Sequence, residues 1–253
     1  AYSLVIVRER GRVLAVAAPR LEGRDRSRAQ VQAWRAMDQM DDETKSQTLA
    51  TVAPYLSGIQ LRKALDIAGA IQFEAYRAGL LVALAPRLGR RLGPRGLAMA
   101  RALEEPSMRV EALVSLLPGL SGRCRQEVLD EALHTALDIS HSGSRLDALA
   151  RLAPHLPSRH LARAVEAVWA ADDGVERARA LAAFLPFLDH GFQALADIRH
   201  TLVSHLLALQ SERREAVLGF CADHRLFEPP IVGEATVQRI ATTIVEIGWE
   251  WRW

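Results

Sequence analysis

A twelve-residue phrase that returns along the chain limits, more than any other feature, what this sequence can fold into. The phrase reads Arg-x-x-Ala-Leu-x-x-Leu-x-Pro-x-Leu, as in RLDALARLAPHL at residues 145–156. Successive copies start 32 or 36 residues apart, and a difference of four residues corresponds to about one helical turn. The copies begin at Lys45, Arg77, Arg109, Arg145, Arg177 and, in a degenerate form, Arg213.

Each of the five complete copies predicts a helix that a proline ends, while the degenerate copy has Ala222 at the proline position. Apolar residues such as Ala148, Leu149 and Leu152 recur at the spacing of one helical face. The proline near the end of the phrase lacks a backbone donor and clashes with the preceding turn, so helix A should stop or kink there. After a short turn, a Leu-x-x-Ala-Leu/Val pattern predicts a helix B. The prolines are Pro54, Pro86, Pro118, Pro154 and Pro186.

Repeated pairs of short helices favour one architecture. A single amphipathic pair cannot bury its apolar face, whereas stacked pairs share a continuous core. We therefore expect an all-α protein in which residues 29–228 form a right-handed α-solenoid of antiparallel helix pairs. The alanines at inward positions would let neighbouring helices approach closely. Examples are Ala112, Ala148, Ala153 and Ala180.

The two ends of the chain depart from this pattern. Two β-prone apolar runs in residues 2–18 flank RERGR, where Gly11 could form a turn, so the sequence predicts a small β-hairpin there. Charged residues 21–28 are typical of a linker, which makes 1–28 a separate N-terminal region. Residues 229–253 predict a capping helix with an aromatic tail that either covers the last repeat or anchors a partner. Its tryptophans are Trp249, Trp251 and Trp253.

Composition limits the classes of partner and the compartment. The formal net charge of +2 is too small to imply a polyanionic partner by itself. No apolar run approaches the roughly 20 residues that cross a bilayer, so we expect no membrane partner. Only Cys124 and Cys221 are present, which fits a reducing compartment. We therefore expect a cytoplasmic location, unless a targeting segment has been removed.

Arginine supplies the candidate binding residues. The basic residues that begin each copy would form a ladder along stacked repeats, and the acidic residues before several of them favour structural ion pairs between repeats over ligand binding. A second group lies in residues 77–101, which contain no acid and predict a flexible, basic loop between helices A and B. This loop could contact a protein or bind phosphate groups. Its candidate residues are Arg87, Arg90, Arg91 and Arg95.

No motif predicts a catalytic, metal or cofactor site. His200 and His205 are five residues apart, one more than two imidazoles on a helix face require. The pairs His155 with His160 and His134 with His141 straddle expected helix ends. HSGSR at 141–145 lacks a Gly-x-Ser-x-Gly elbow and predicts a loop. We expect a non-enzymatic protein, while an enzyme assembled from scattered residues stays open.

The repeats resemble a known group of proteins. The recurring phrase, followed by a helix that contains Gly-Glu-Ala and runs into tryptophans, is similar to the C-terminal helical repeats of bacterial multidomain defence proteins. That group includes STAND-class NTPases and proteins with caspase-like or trypsin-like peptidase effectors. Over residues 45–253 the resemblance implies a scaffold or sensor that binds a protein partner, such as a peptidase or NTPase effector. No Gly-x-x-x-x-Gly-Lys-Ser/Thr is present, so the NTPase function does not carry over.

Overall fold

The computed structural model describes residues 2–188, which form eleven α-helices and no strand. The predicted copy at Arg213, the capping helix at 229–253 and Trp249, Trp251 and Trp253 lie outside the described residues. The helices are α1 Tyr2–Ala17, α2 Gly23–Met37, α3 Asp42–Val52, α4 Gly58–Ala70, α5 Glu74–Leu84, α6 Gly89–Arg101, α7 Pro106–Leu116, α8 Gly122–Leu137, α9 Ser142–Leu152, α10 Ser158–Trp169 and α11 Gly174–Phe184.

The chain divides into two compact units after Thr135. In the first unit, α1 packs against α2 and α3, and the line of helices continues through α5 to α7. Helices α4 and α6 pack against α5, and α6 also packs against α7. In the second unit, α9 packs against α11, and α10 contacts both. Odd-numbered helices therefore contact one another within each unit, and the even-numbered ones pack beside them.

The prolines end helix A as the sequence predicts. In each copy the α-helix stops two residues before the proline, which then occupies the middle of a three-residue 3₁₀ turn. A 3₁₀ turn uses tighter hydrogen bonds and so reverses the chain within a few residues. The turns are Ala53–Tyr55, Ala85–Arg87, Leu117–Gly119, Ala153–His155 and Leu185–Phe187.

Helices A and B bury faces of different width. Helix B buries one stripe, as in α10, where Leu161, Ala164, Val165 and Val168 are at most 4% exposed. This stripe is the predicted one. Helix A buries a wider face: α7, for example, buries residues at i, i+2, i+3 and i+6 because it contacts helices on more than one side. Burial of these aliphatic side chains supplies the main stabilising free energy.

The predicted N-terminal β-hairpin is wrong. Residues Tyr2–Ala17 form one α-helix, and Gly11 and Ala15 lie buried on one of its faces. A Cβ atom at Gly11 would collide with the Cβ of Ala36 on α2. The glycine therefore permits close helix packing instead of a turn. The β-branched residues misled the prediction because tertiary packing overrides strand propensity.

The N-terminal region is a further copy of the repeat. RGRVLAVAAPRL at residues 10–21 matches the phrase at Arg10, Leu14, Pro19 and Leu21, and helix α1 is followed by the 3₁₀ turn Ala18–Arg20. The predicted linker at 21–28 is also wrong, because α2 begins at Gly23. The helix pairs thus start before residue 29, where the sequence had placed the first helix.

The predicted flexible loop within residues 77–101 is a helix. Only Leu88 separates the turn Ala85–Arg87 from α6, and Gly89 makes this possible with a φ of 54°, which few other residues adopt. Gly96 is buried, and a Cβ there would lie 2.6 Å from Leu88 Cδ1. The glycines therefore serve a sharp turn and close packing, and the arginines are carried on an ordered helix.

Candidate functional site

Four recurring arginines bind the backbone at the end of the preceding helix. Each lies at the fourth position of a helix A and donates to the carbonyl oxygen six residues earlier, at the end of the helix B before it. The distances are 3.3 Å from Arg77 Nη1 to Ile71, 2.9 Å from Arg109 Nε to Leu103, 3.1 Å from Arg145 Nη1 to Ile139 and 2.8 Å from Arg177 Nη1 to Ala171. We call these four residues the capping arginines.

These four members of the ladder are therefore structural, but the ion pairs between repeats that the sequence predicts for them are wrong. Within residues 2–188, none of the capping arginines forms an ion pair with a carboxylate. A cation at the first turn of helix A is unfavourable for that helix, whereas a cation at the last carbonyls of helix B is favourable. By reaching back across the loop, each guanidinium donates to a carbonyl oxygen one or two residues past the last residue of helix B.

Acidic residues at the start of helix A also bind backbone groups. Asp41 and Glu105 accept hydrogen bonds from the amides of Thr44 and Met108, at 2.8 and 3.0 Å, as N-caps. The carboxylate of Asp42 accepts from the amide of Gln72, in the loop before the next helix A, at 3.1 Å. Glu74 likewise accepts from the amides of Glu104 and Glu105. These carboxylates connect successive repeats within the first unit.

Glu105 shows the electrostatic result of this capping. Burial by itself raises the pKa of this carboxyl group, but the Ser107 hydroxyl and the amides of Met108 and Ser107 donate to the ionised form. Arg109 adds a favourable positive charge. Together these donors lower the pKa of Glu105 below its ordinary value of 4.5. The ionised carboxylate of Glu105 therefore stabilises the first turn of α7.

An open groove lies between the first turns of α4 and α6. It has a volume of about 540 Å³, and Leu88 and the side chain of Leu92 contribute apolar surface to it. Ile59 stands at its edge with 86% of its surface exposed. Arg62 comes from α4, and Arg87 and Arg91 come from the α6 side. The groove therefore combines three guanidinium groups with aliphatic side chains. We call it the α4–α6 groove.

The four arginines predicted from residues 87–95 separate into two kinds. Arg87 donates to the carbonyl oxygens of Pro54 and Leu56, the latter at 3.1 Å, and Arg95 forms an ion pair with Asp66 at 2.6 Å. Arg90 and Arg91 are exposed and have no ion pair or hydrogen bond within the described part of the chain. Only Arg87 and Arg91 of this group line the α4–α6 groove.

Sequence analysis missed the α4 side of the groove. Arg62 and Ile59 were not among the candidate residues, because a single isoleucine and a single arginine on a helix are ordinary surface residues when only the sequence is considered.

The histidine motifs take part in local structure. His141 is the N-cap of α9, and its Nδ1 accepts from the Ser144 amide at 3.2 Å, so the predicted HSGSR loop is the start of a helix. His134 Nδ1 lies 2.8 Å from the carbonyl oxygen of Asp130. His200, His205 and Cys221 lie outside the described residues. Among residues 2–188, no three His, Cys, Asp or Glu side chains group together as metal ligands would.

Comparisons with known proteins do not extend this picture. No protein-family model matches the chain, and neither a curated protein nor a solved structure is significantly similar to it. Across residues 2–188, every helix is too short or too polar to cross a bilayer.

Proposed function

We propose that this protein is a non-enzymatic helical-repeat scaffold or sensor that binds a protein partner. In this proposal the helix pairs stack into an α-solenoid, a class of fold that presents long continuous binding surfaces. The resemblance to bacterial defence proteins makes a cytoplasmic defence or signalling assembly its setting, and a peptidase or NTPase effector its partner. The proposal concerns recognition and assigns no reaction to the chain.

The proposal is supported by a difference between the residues that recur among the copies and those that vary from copy to copy. The recurring polar residues, such as Arg109 and Arg145, hold helix ends. In contrast, the last residue of each 3₁₀ turn is at least partly exposed, and its chemistry changes from one turn to the next. A constant frame with a variable row of exposed residues is typical of repeat proteins that recognise a partner. In the first unit the variable row comprises Arg20, Tyr55, Arg87 and Gly119, and the corresponding positions of the second unit are His155 and Phe187.

A crosslinking experiment tests this function. A photoreactive amino acid is placed at Tyr55 or Gly119, in the variable row, or at Ala75, an exposed position at the opposite end of helix A. After irradiation in the native host, the tagged chain is purified and its adducts are identified by mass spectrometry. We expect the same bacterial protein at positions 55 and 119 and none at position 75. Equal labelling at all three positions, or no protein adduct, would contradict the proposal.

The nucleic-acid alternative through residues 87–95 is the weaker candidate. Arg87 and Arg95 already bind protein atoms, which leaves Arg90 and Arg91 free for phosphate groups. A nucleic-acid subunit would show affinity that falls steeply with salt, because bound cations are released from the phosphates. The same purification therefore reports on this alternative: nucleic acid recovered with the chain and released by salt would support it.

A further inference from the structure

The residues that line the α4–α6 groove include three arginines and no carboxylate. Residues 51–65 and 78–103 contain no Asp or Glu, so no carboxylate arises from the segments that form the groove. The nearest acid in sequence, Asp66, is engaged by Arg95 at 2.6 Å. Within the described residues, Arg62 and Arg91 form no ion pair and no hydrogen bond, and both are exposed. The groove therefore favours a ligand with negative charge.

Arg87 fixes the geometry of the groove. Its guanidinium donates to Pro54 and Leu56, which lie immediately before α4, and its own backbone lies immediately before α6. The contact joins the two turns from which the groove walls start. Because those walls are held by the protein itself, the backbone positions of Arg62 and Arg91 are fixed before a ligand arrives, and only their exposed side chains have to be ordered on binding.

The apolar residues of the α4–α6 groove further limit the chemical class of its ligand. Ile59 is 86% exposed at the rim, and Leu88 and Leu92 lie beside the arginines. None of the nine residues that line the groove is aromatic, so bases of a single strand would find no ring on which to stack. A chain that offers carboxylates together with an aliphatic side chain matches both properties of the groove.

We propose that the α4–α6 groove binds a short acidic peptide segment of the protein partner. In this complex, Asp or Glu side chains of the segment pair with Arg62 and Arg91, since guanidinium and carboxylate groups form charge-assisted, bidentate hydrogen bonds. An aliphatic side chain between them packs on Ile59 and Leu92. This inference rests on the proposed function and specifies the chemistry of the partner.

Selection from a random peptide library tests the groove. Phage that display random 12-residue peptides are selected on the full-length chain, and enriched peptides are synthesised with a fluorophore for anisotropy titration. We expect enriched peptides to carry two or more acidic residues around an aliphatic one. Their affinity should fall about tenfold or more in Arg62→Glu plus Arg91→Glu, since each charge-assisted contact that is lost weakens binding by about this factor. It should also fall in Ile59→Asp, which removes the apolar contact and places a carboxylate beside the acidic peptide.

A control variant separates local pairing from overall charge. Arg10→Glu plus Arg35→Glu changes the net charge by the same amount on α1 and α2, outside the residues that line the groove. Affinity should stay within about twofold for this control, because exposed charges beyond a Debye length are screened at physiological salt. Circular dichroism verifies that each variant is folded. A repeated selection on Arg62→Glu plus Arg91→Glu should enrich basic peptides.

Three results would overturn the inference. Enriched peptides without an acidic bias would remove the charge argument, and equal losses in the test and control variants would place binding elsewhere. Tight binding of a 20-residue oligothymidine, lost at high salt and in Arg62→Glu plus Arg91→Glu, would assign the groove to nucleic acid. In the first two cases a partner crosslinked from Tyr55 would still support the scaffold function, so the two proposals fail separately.

Discussion

Arg109 donates a hydrogen bond of 2.9 Å from Nε to the carbonyl oxygen of Leu103, and its Nη2 approaches the carbonyl of Glu104 at 3.4 Å. One guanidinium on α7 thus holds the two loop carbonyls that follow α6. The same relationship at a separation of six residues occurs for all four capping arginines. In these four copies, the basic residue that begins the phrase therefore holds the loop before its own helix.

Replacement of Arg109 by methionine should destabilise the protein. Arg109→Met keeps much of the aliphatic stem but leaves the carbonyls at the end of α6 without their charged donor. We expect a loss of about 1.5–3 kcal/mol in the free energy of unfolding. Arg123→Met, on a side chain that is 90% exposed, should change it by less than about 0.5 kcal/mol. Guanidinium chloride titration followed by circular dichroism measures both, and equal effects would contradict the capping role.

Two glycine-to-alanine substitutions should change the stability of the protein in opposite directions. Gly79 lies exposed within α5 with open space around it, so Gly79→Ala should stabilise the protein by about 0.5–1 kcal/mol through helix propensity. Gly11→Ala would drive a methyl group into Ala36, and overpacking of this kind costs about 1–3 kcal/mol. Thermal denaturation of the two variants checks the expectation. A Gly11→Ala protein that is more stable than the wild type would argue against the α1–α2 contact.

Because of Glu105, the unfolding free energy of the first unit should decrease at acidic pH. The folded-state pKa of this carboxyl group lies below its ordinary value of 4.5, so its stabilisation is present above that value and disappears as the pH falls through the lowered pKa. The difference in unfolding free energy between wild type and Glu105→Gln should accordingly be largest near pH 7 and shrink below about pH 4. Denaturant titrations from pH 2.5 to pH 7 test this, and a difference that grows in acid would contradict the lowered pKa.

Substitution of Arg87 should lower the stability of the protein, whereas substitution of Arg90 should leave it nearly unchanged. Arg87→Met removes the contact with Pro54 and Leu56, and we expect a loss of about 1–2 kcal/mol in unfolding free energy. Arg90→Met removes no intramolecular contact within the described residues, so stability should stay within about 0.5 kcal/mol. Chemical denaturation measures the two variants side by side. If both were equally stable, Arg87 would belong with the binding residues instead of the frame.

The prolines and the apolar spacing made most of the described fold predictable. Pro86 and Pro154 lie just after their helices, where the missing donor stops a further turn, whereas Pro94 lies within α6. The stripe in α10, which includes Leu161 and Val165, follows from helical geometry in the same way. Both signals lie within a few residues of the structure that they specify.

The failures have a common physical cause. Gly11 and Gly96 were taken for turn or loop residues, but their role depends on neighbours in other parts of the chain: Gly11 packs against Ala36, and Gly96 packs against Leu88 and Leu116. A glycine that gives backbone freedom and one that gives space for a neighbour have the same local sequence signal. For the same reason the α4–α6 groove could be predicted only on the α6 side, since it needs two segments to meet.

The polar contacts between successive repeats have a consequence for how the first unit opens. Asp42 accepts from the amide of Gln72, Glu74 from that of Glu104, and Ser46 donates to the carbonyl of Tyr76 at 2.8 Å. If one helix pair unravelled, its neighbour would lose the partners of its own loop as well as an apolar face. Unravelling should therefore be cooperative, with the helices from α3 to α7 behaving as a single foldon that exchanges its amide protons together.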